Sequence, residues 1–118
     1  MKKIAILLSH SPFDSALSRE ANDMIMALAA VEHQITVIYQ GAGVLQLLPV
    51  HSQAALGCKD YTPTQKLFEL YEVAAVIASS SALAHYDIDV QKCLIPVMSV
   101  SDAQIKFVLA QQQHILRF

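Results

Sequence analysis

The side chains best suited to chemistry follow apolar runs that have the length of strands. Ser9 and His10 come after the first run, and Ser79, Ser80 and Ser81 come after a later one. In an open parallel sheet, ligands bind beyond the carboxyl ends of the strands. We therefore expect the wall of any site in this chain to be formed by four of these residues: Ser9, His10, Ser79 and Ser80.

These polar residues do not complete a catalytic constellation. A histidine at a strand end suits acid–base work or hydrogen bonding, and serines before a helix can hold phosphate. The loop 9–15 contains no glycine, however, and close backbone approach of a phosphate usually needs one. The serines at 79–81 lack the Gly-x-Ser-x-Gly elbow of serine hydrolases. The pattern favours turn and helix-capping roles, and we predict no catalytic residue among them.

Two cysteines offer a different chemistry. Cys58 precedes Lys59, and a neighbouring ammonium lowers a thiol pKa and so raises the thiolate fraction. Cys58 is therefore a candidate sulfur carrier or redox thiol, although a small apolar residue near the surface is the favoured interpretation. Cys93 precedes a predicted strand and is expected to pack. Two cysteines make no disulfide framework, which favours reduced thiols in a cytoplasm over the alternative of one disulfide between them.

The sequence predicts no metal site and no cofactor. A nucleotide or flavin is not supported, since the chain contains neither a Gly-x-Gly-x-x-Gly motif nor a P-loop lysine. Eight basic against ten acidic residues give a net charge of -2, with no basic cluster to bind phosphates directly. No two histidines are spaced as neighbouring ligands on one helix face; they are His10, His33, His51, His85 and His114.

Apolar runs that alternate with helical patterns predict an α/β fold. Right-handed crossovers then predict a single flavodoxin-like domain over residues 1–118: a doubly wound, mainly parallel five-stranded sheet with helices on both faces. The strands are expected at 3–8, 34–39, 73–78, 94–100 and 114–118.

Capping residues mark the predicted helices. Asp14 or Ser15 can cap a helix that runs to Val31. Ser101 and Gln104 form a capping box for a helix that buries Ile105, Val108 and Leu109. A third helix, with Pro63 at its first position, is expected to run from Thr62 to about Tyr71. Its predicted buried residues are Leu67, Leu70 and Tyr71.

The connection 41–60 lacks periodicity and is expected to be irregular, with a turn at Gly41 and Gly43 that needs positive φ. It carries an apolar patch with aromatic residues close by in sequence. The 54% of hydrophobic residues predict a buried, nearly all-apolar parallel sheet, apolar surface left for a partner, or both. The pattern does not decide between core and partner interface for this set: Val44, Leu45, Leu47, Leu48, Tyr61, Phe68 and Tyr71.

The start of the chain mimics a secretory signal but does not form one. Lys2 and Lys3 precede an apolar run that stops at Ser9, which is shorter than a signal core and has no cleavage site. No stretch approaches the roughly 20 apolar residues of a membrane helix. We expect a cytoplasmic protein.

Three segments carry a resemblance to a known family. They are Gly43–Pro49 (GVLQLLP), Lys59–Tyr61 leading into Lys66–Tyr71 (KLFELY), and Ile115–Phe118 (ILRF). With them the chain resembles the DsrE/DsrF-like family from end to end, and within it the DsrF-type subunits of sulfur-relay complexes. The resemblance implies a cytoplasmic heterohexamer with two copies each of B-, C- and D-type chains. That complex passes persulfide sulfur toward 2-thiolation of the wobble uridine of certain tRNAs.

The resemblance also implies which chain carries the sulfur. In the D-type subunit the sulfur-carrying cysteine follows the third strand, and the matching region here is Ala78–Ser81, which contains serine. A hydroxyl cannot form a persulfide, so the resemblance implies a non-catalytic subunit that supports assembly. The alternative hypothesis is a stand-alone sulfurtransferase that uses Cys58 as persulfide carrier.

Overall fold

Apolar β-branched runs form a parallel sheet in the computed structural model, which describes residues 2–11, 16–48 and 65–118, without the side chains of 16–18. These residues contain five strands, and the first two match the predicted bounds to the residue. Pairing is parallel throughout, in the order β4-β3-β2-β1-β5. The strands are β1 Lys3–Leu8, β2 Gln34–Tyr39, β3 Ala75–Ser79, β4 Met98–Val100 and β5 His114–Arg117.

The strand order determines which face each helix covers. The connections from β1 to β4 step in one direction across the sheet, and the last connection returns past β1 to β5. Because crossovers are right-handed, this reversal places the last helix on the opposite face. The predicted parallel α/β sheet with helices on both faces is confirmed. The helices in the described residues are α1 Ala16–Ala30, α2 Leu67–Leu70, α3 Ser80–His85 and α4 Asp102–Ala110.

Each face of the sheet has its own core. On one face Ile4, Ile6 and Leu8 pack with Ile25 of α1 and Leu83 of α3. On the other face the alternate residues of the strands, including Ala5, Leu7 and Ile77, pack with Ile105 of α4. Successive side chains of a strand point to opposite faces of the sheet, and helices cover both faces. The buried strands are therefore apolar at nearly every position.

The helix capped by Ser101 follows its prediction. The Ser101 hydroxyl accepts from the Gln104 backbone N–H at 3.2 Å, and the Gln104 side-chain oxygen accepts from the Ser101 N–H at 2.8 Å. Ile105 is buried, and Val108 and Leu109 pack partly against the same core. The capping box therefore begins α4 where the sequence predicts it.

Two predicted elements differ from the structure, one in its start and one in its buried face. β4 begins at Met98 and not at residue 94, because Pro96 has no N–H for the ladder. The helix predicted from Thr62 is described only from residue 65 on, where residues 65 and 66 are in 3-10 conformation and Leu67–Leu70 form an α-helix; residues 62–64 lie outside the described residues. Its predicted buried face is wrong: Phe68 enters the core, whereas three residues are exposed, namely Leu67, Leu70 and Tyr71.

The connection after β2 begins with regular structure, which the sequence did not predict. Gly41–Leu47 form a 3-10 helix that packs beside β1. Gly41 has a φ of 51°, as expected. Gly43 is needed for a different reason, because a Cβ there would lie 1.9 Å from the Leu8 carbonyl oxygen. The close contact of the 3-10 helix with β1 therefore requires a glycine, which has no Cβ, at position 43.

No helix among the described residues is long and apolar enough to cross a membrane.

Candidate functional site

The carboxyl ends of the strands together line one cleft of about 880 Å³. The connections that leave the strands of the sheet change direction between β3 and β4, and we call this place the reversal point. There α3 leaves β3 toward one face of the sheet and α4 leaves β4 toward the other. Ligands of open α/β sheets bind at such a point. The cleft is lined from each strand end in turn by Ser9, Gln40, Ser79, Asp102 and Arg117.

Two serine hydroxyls and a carboxylate meet at the reversal point. The Ser79 hydroxyl donates to Asp102 Oδ1 at 3.0 Å and accepts from the Ala82 N–H at 3.3 Å, so it also caps α3. Ser81 Oγ lies 2.9 Å from Ser79 Oγ and 3.2 Å from Asp102 Oδ2. Asp102 lies in the first turn of α4, where the helix dipole favours a carboxylate.

This cluster holds a negative charge but does not activate a nucleophile. A serine nucleophile needs an adjacent base such as histidine to take its proton. His85 lines the cleft, yet within the described ranges no histidine nitrogen hydrogen-bonds to either serine. Ser79 is also only 3% exposed. The geometry therefore fits a capped helix and a fixed carboxylate.

A chain of buried side chains supports the first loop at this edge. The Gln46 amide donates to the His10 carbonyl at 3.0 Å, and the Gln65 amide donates to the Gln46 carbonyl at 2.8 Å. The Tyr39 hydroxyl donates to the Gln65 side-chain oxygen. Gln46 and Gln65 are each 1% exposed, and buried polar groups of this kind hold their surroundings in one arrangement.

The predicted wall residues occupy different places. Ser9 lines the cleft and accepts from the Gln40 amide at 3.1 Å, and Ser79 lines it at the reversal point. His10 is half-buried and takes part through its backbone carbonyl in the bond from Gln46. Ser80 is an exposed residue of α3. The structure therefore brings Ser9 and Ser79 into the cleft, and the wall role remains a prediction for all four.

The predicted partner interface divides into core and surface. Val44 and Leu47 are 0% exposed and Phe68 is 3% exposed, so these three pack inside the chain itself. For them the interface interpretation is corrected, because a partner cannot reach a side chain that its own core encloses. Three others do reach the surface: Leu45 and Leu48, which are half-buried, and Tyr71, which is exposed. Tyr61 lies outside the described residues.

The structure describes one of the two cysteines. Cys58 lies outside the described residues. Cys93 is half-buried, and its Sγ contacts the Asp89 carbonyl at 3.6 Å. Burial, and then the charge of Asp89, raises the pKa of the Cys93 thiol. A raised pKa lowers the thiolate fraction at neutral pH, which makes Cys93 a poor nucleophile.

Among the cleft residues missed from the sequence are its lysine and its arginine, Lys106 and Arg117. Arg117 ends β5 just as Ser79 ends β3, so the strand-end rule applied to the last strand would have found it. Lys106 lies one turn after Asp102 on α4, and only the position of α4 over the sheet brings it to the cleft. Among the described residues no group of three or more histidine, cysteine or acidic side chains is arranged to hold a metal ion.

The parallel five-stranded sheet with helices on both faces places this protein in the doubly wound, flavodoxin-like class of α/β proteins. The chain belongs to the DsrE/DsrF-like family, whose model matches residues 2–118. It is 35% identical to the Protein TusC homolog of Vibrio parahaemolyticus over the full length of both chains. Protein TusC of Klebsiella pneumoniae strain 342 is 40% identical over 73 residues, which cover 62% of this chain and 61% of that protein.

A solved structure supports the fold. The ychN protein from E. coli superimposes with a TM-score of 0.83 and covers all of both chains. The sequence identity is 15%, so this likeness concerns the fold alone.

Proposed function

We propose that this chain is a non-catalytic subunit of a TusBCD-type sulfur-relay complex. Its partners are TusB-like and TusD-like chains in a heterohexamer, on which TusA and TusE act. The complex lies in the cytoplasm and passes persulfide sulfur toward 2-thiolation of the tRNA wobble uridine, so this chain meets tRNA only indirectly. Residues 1–118 form one domain. Full-length similarity to a protein named as a TusC homolog supports the proposal.

The observation that carries the non-catalytic role is the hydrogen bond between Ser79 and Asp102. In persulfide transfer, a thiolate attacks the terminal sulfur, the S–S bond of the donor breaks, and the donor cysteine leaves as a thiolate. The hydroxyl at Ser79 cannot accept sulfur in this way. A carboxylate 3.0 Å away would also disfavour a thiolate in its place.

The surface supports an assembly role. Several elements carry exposed large apolar side chains, which a partner chain in the proposed assembly would cover. The most exposed are Leu70 at 74%, Phe107 at 67% and Met98 at 65%. Leu45, Leu48 and Tyr71 remain the part of the predicted interface that a partner can contact.

The assembly is tested by native mass spectrometry of the tagged full chain purified from its own host. We expect two small α/β partners in equal ratio with this chain. A lone chain, or an oligomer of this chain only, contradicts the proposal.

The non-catalytic role is tested on the same purified complex. After incubation with a persulfide donor, peptide mass spectrometry locates the sulfane sulfur. We expect it on a partner cysteine and on neither Cys58 nor Cys93, and we expect a Cys58→Ser complex to relay sulfur at the normal rate. Sulfur trapped on Cys58, with a relay lost in that variant, would establish the alternative of a persulfide carrier.

A further inference from the structure

The last strand holds an arginine in the cleft. Arg117 pairs in register with Leu7 of β1, so its side chain lies on the face of the sheet that α4 covers. The next residue is tied to β1 on both sides: the Phe118 N–H donates to the Leu7 carbonyl, and the Phe118 carbonyl accepts from the Ser9 N–H, each at 2.8 Å. The backbone at Arg117 is therefore fixed.

A second cation lines the same cleft. Lys106 lies on α4, which packs over the same face of the sheet. Neither Lys106 nor Arg117 forms an ion pair with any residue that the structure describes. Together with Asp102 they give the cleft one more positive than negative charge, although the whole chain carries -2. Lys106 lies one turn from Asp102 and offsets that carboxylate, so the charge of Arg117 has no acidic neighbour among the lining residues.

The negative charge is separated from the arginine. Asp102 lies at the β3–β4 end of the cleft, and β5 lies three strands beyond β3, which is about 14 Å at the usual strand spacing. The Asp102 carboxylate already accepts hydrogen bonds from Ser79 and Ser81. Its charge therefore leaves the Arg117 end available to an anion.

We propose that the Arg117 end of the cleft binds a small molecule through an oxyanion group, with Arg117 as the contact residue. A guanidinium presents paired donors that match the oxygens of a carboxylate, a phosphate or a sulfur oxyanion. A volume of about 880 Å³ lies within the range of small-molecule sites. This inference does not rest on the proposed relay function, since it concerns a cleft formed by this chain alone.

The test is a titration of the ¹⁵N-labelled full chain, in the assembly in which it purifies, with phosphate, thiosulfate or acetate. Sodium chloride keeps the ionic strength constant. We expect saturable amide shifts confined to residues near Ser9, Gln40 and Arg117. The anion that saturates at the lowest concentration identifies the chemical source of the oxyanion.

Matched variants make the test specific. Arg117→Gln should weaken binding at least tenfold, whereas Arg19→Gln, at an exposed arginine of α1 outside the cleft, should leave it unchanged. Unchanged amide shifts elsewhere show that the Arg117 variant is folded. Linear, unsaturable shifts with all three anions, or equal binding by Arg117→Gln, would overturn the proposal. Failure here leaves the mass-spectrometric test of assembly untouched.

Discussion

At the scale of single residues, the serine at the end of β3 is buried beside a carboxylate. Asp102 lies 3.0 Å from its hydroxyl, and the side chain is 3% exposed. Both burial and a like charge disfavour the ionised form of a thiol. A cysteine at this position would therefore have two neighbouring features, burial and a carboxylate, that each raise the pKa of its thiol.

Ser79→Cys should consequently give a poorly reactive thiol. In a Cys58→Ser/Cys93→Ser background, we expect alkylation at pH 7 at least about tenfold slower than for Ser80→Cys, since each unit of raised pKa removes tenfold of the thiolate. Adding Asp102→Asn should recover part of the rate and shift the rate–pH curve to lower pH. Iodoacetamide rates from pH 6 to 10 measure this. Equal rates for the two single cysteine variants would show that the carboxylate has no such effect.

The sequence predicted the helix-capping role of Ser79 but not its hydrogen bond to Asp102. Ser79 as a helix cap follows from local residue types, and the structure confirms it. Its bond to Asp102 joins residues 23 positions apart, and it exists because β3 and β4 are neighbours. No local pattern contains that adjacency. Lys106 was missed for the same reason.

At the scale of elements, the sequence correctly predicted several elements whose cause lies in their own residues. β1 and β2 match their apolar runs, and α4 begins at its capping box. The 3-10 helix Gly41–Leu47 was missed because its cause is a contact between two elements. Gly43 lets the helix approach the Leu8 carbonyl of β1, and this approach is invisible in the spacing of apolar residues.

This contact predicts a large difference between two glycines. Gly43→Ala should lower the free energy of unfolding by about 3 kcal/mol, because the new Cβ would overlap the backbone of β1. Gly41→Ala should cost only about 1 kcal/mol, the penalty for a left-handed conformation, since the nearest atom is 3.8 Å away. Urea unfolding of both variants provides the measurement. A Gly41 variant as unstable as the Gly43 variant would contradict the packing explanation.

At the scale of the whole molecule, the apolar patch after β2 is partly core and partly surface. Periodicity in the sequence could not separate the two, because buried and partner-facing apolar residues look alike in a short segment. The structure separates adjacent residues: Leu47 is fully buried and Leu48 is half-buried. These neighbours therefore form a matched pair for testing the proposed assembly.

Leu47→Asp should unfold the chain, because it places an unpaired charge in the core. Leu48→Asp should leave the chain folded and reduce the fraction found in the heteromeric complex by at least tenfold. Circular dichroism reports the fold and native mass spectrometry the assembly. Gln91→Asp, at an exposed polar residue, serves as the charge control. A folded Leu48→Asp chain that assembles normally would place the interface elsewhere.

The strand order also has a consequence for the time course of folding. β1 occupies an inner place in the sheet, yet one of its two neighbours is β5, and the Lys3 N–H donates to the Gln113 side chain across 110 positions. On the ribosome, β1 and β2 can pair early, but β1 keeps an open edge until residues 114–117 have emerged. Long-range pairings of this kind slow folding and leave strand edges open to aggregation. We therefore expect nascent chains that stall before residue 114 to depend on chaperones.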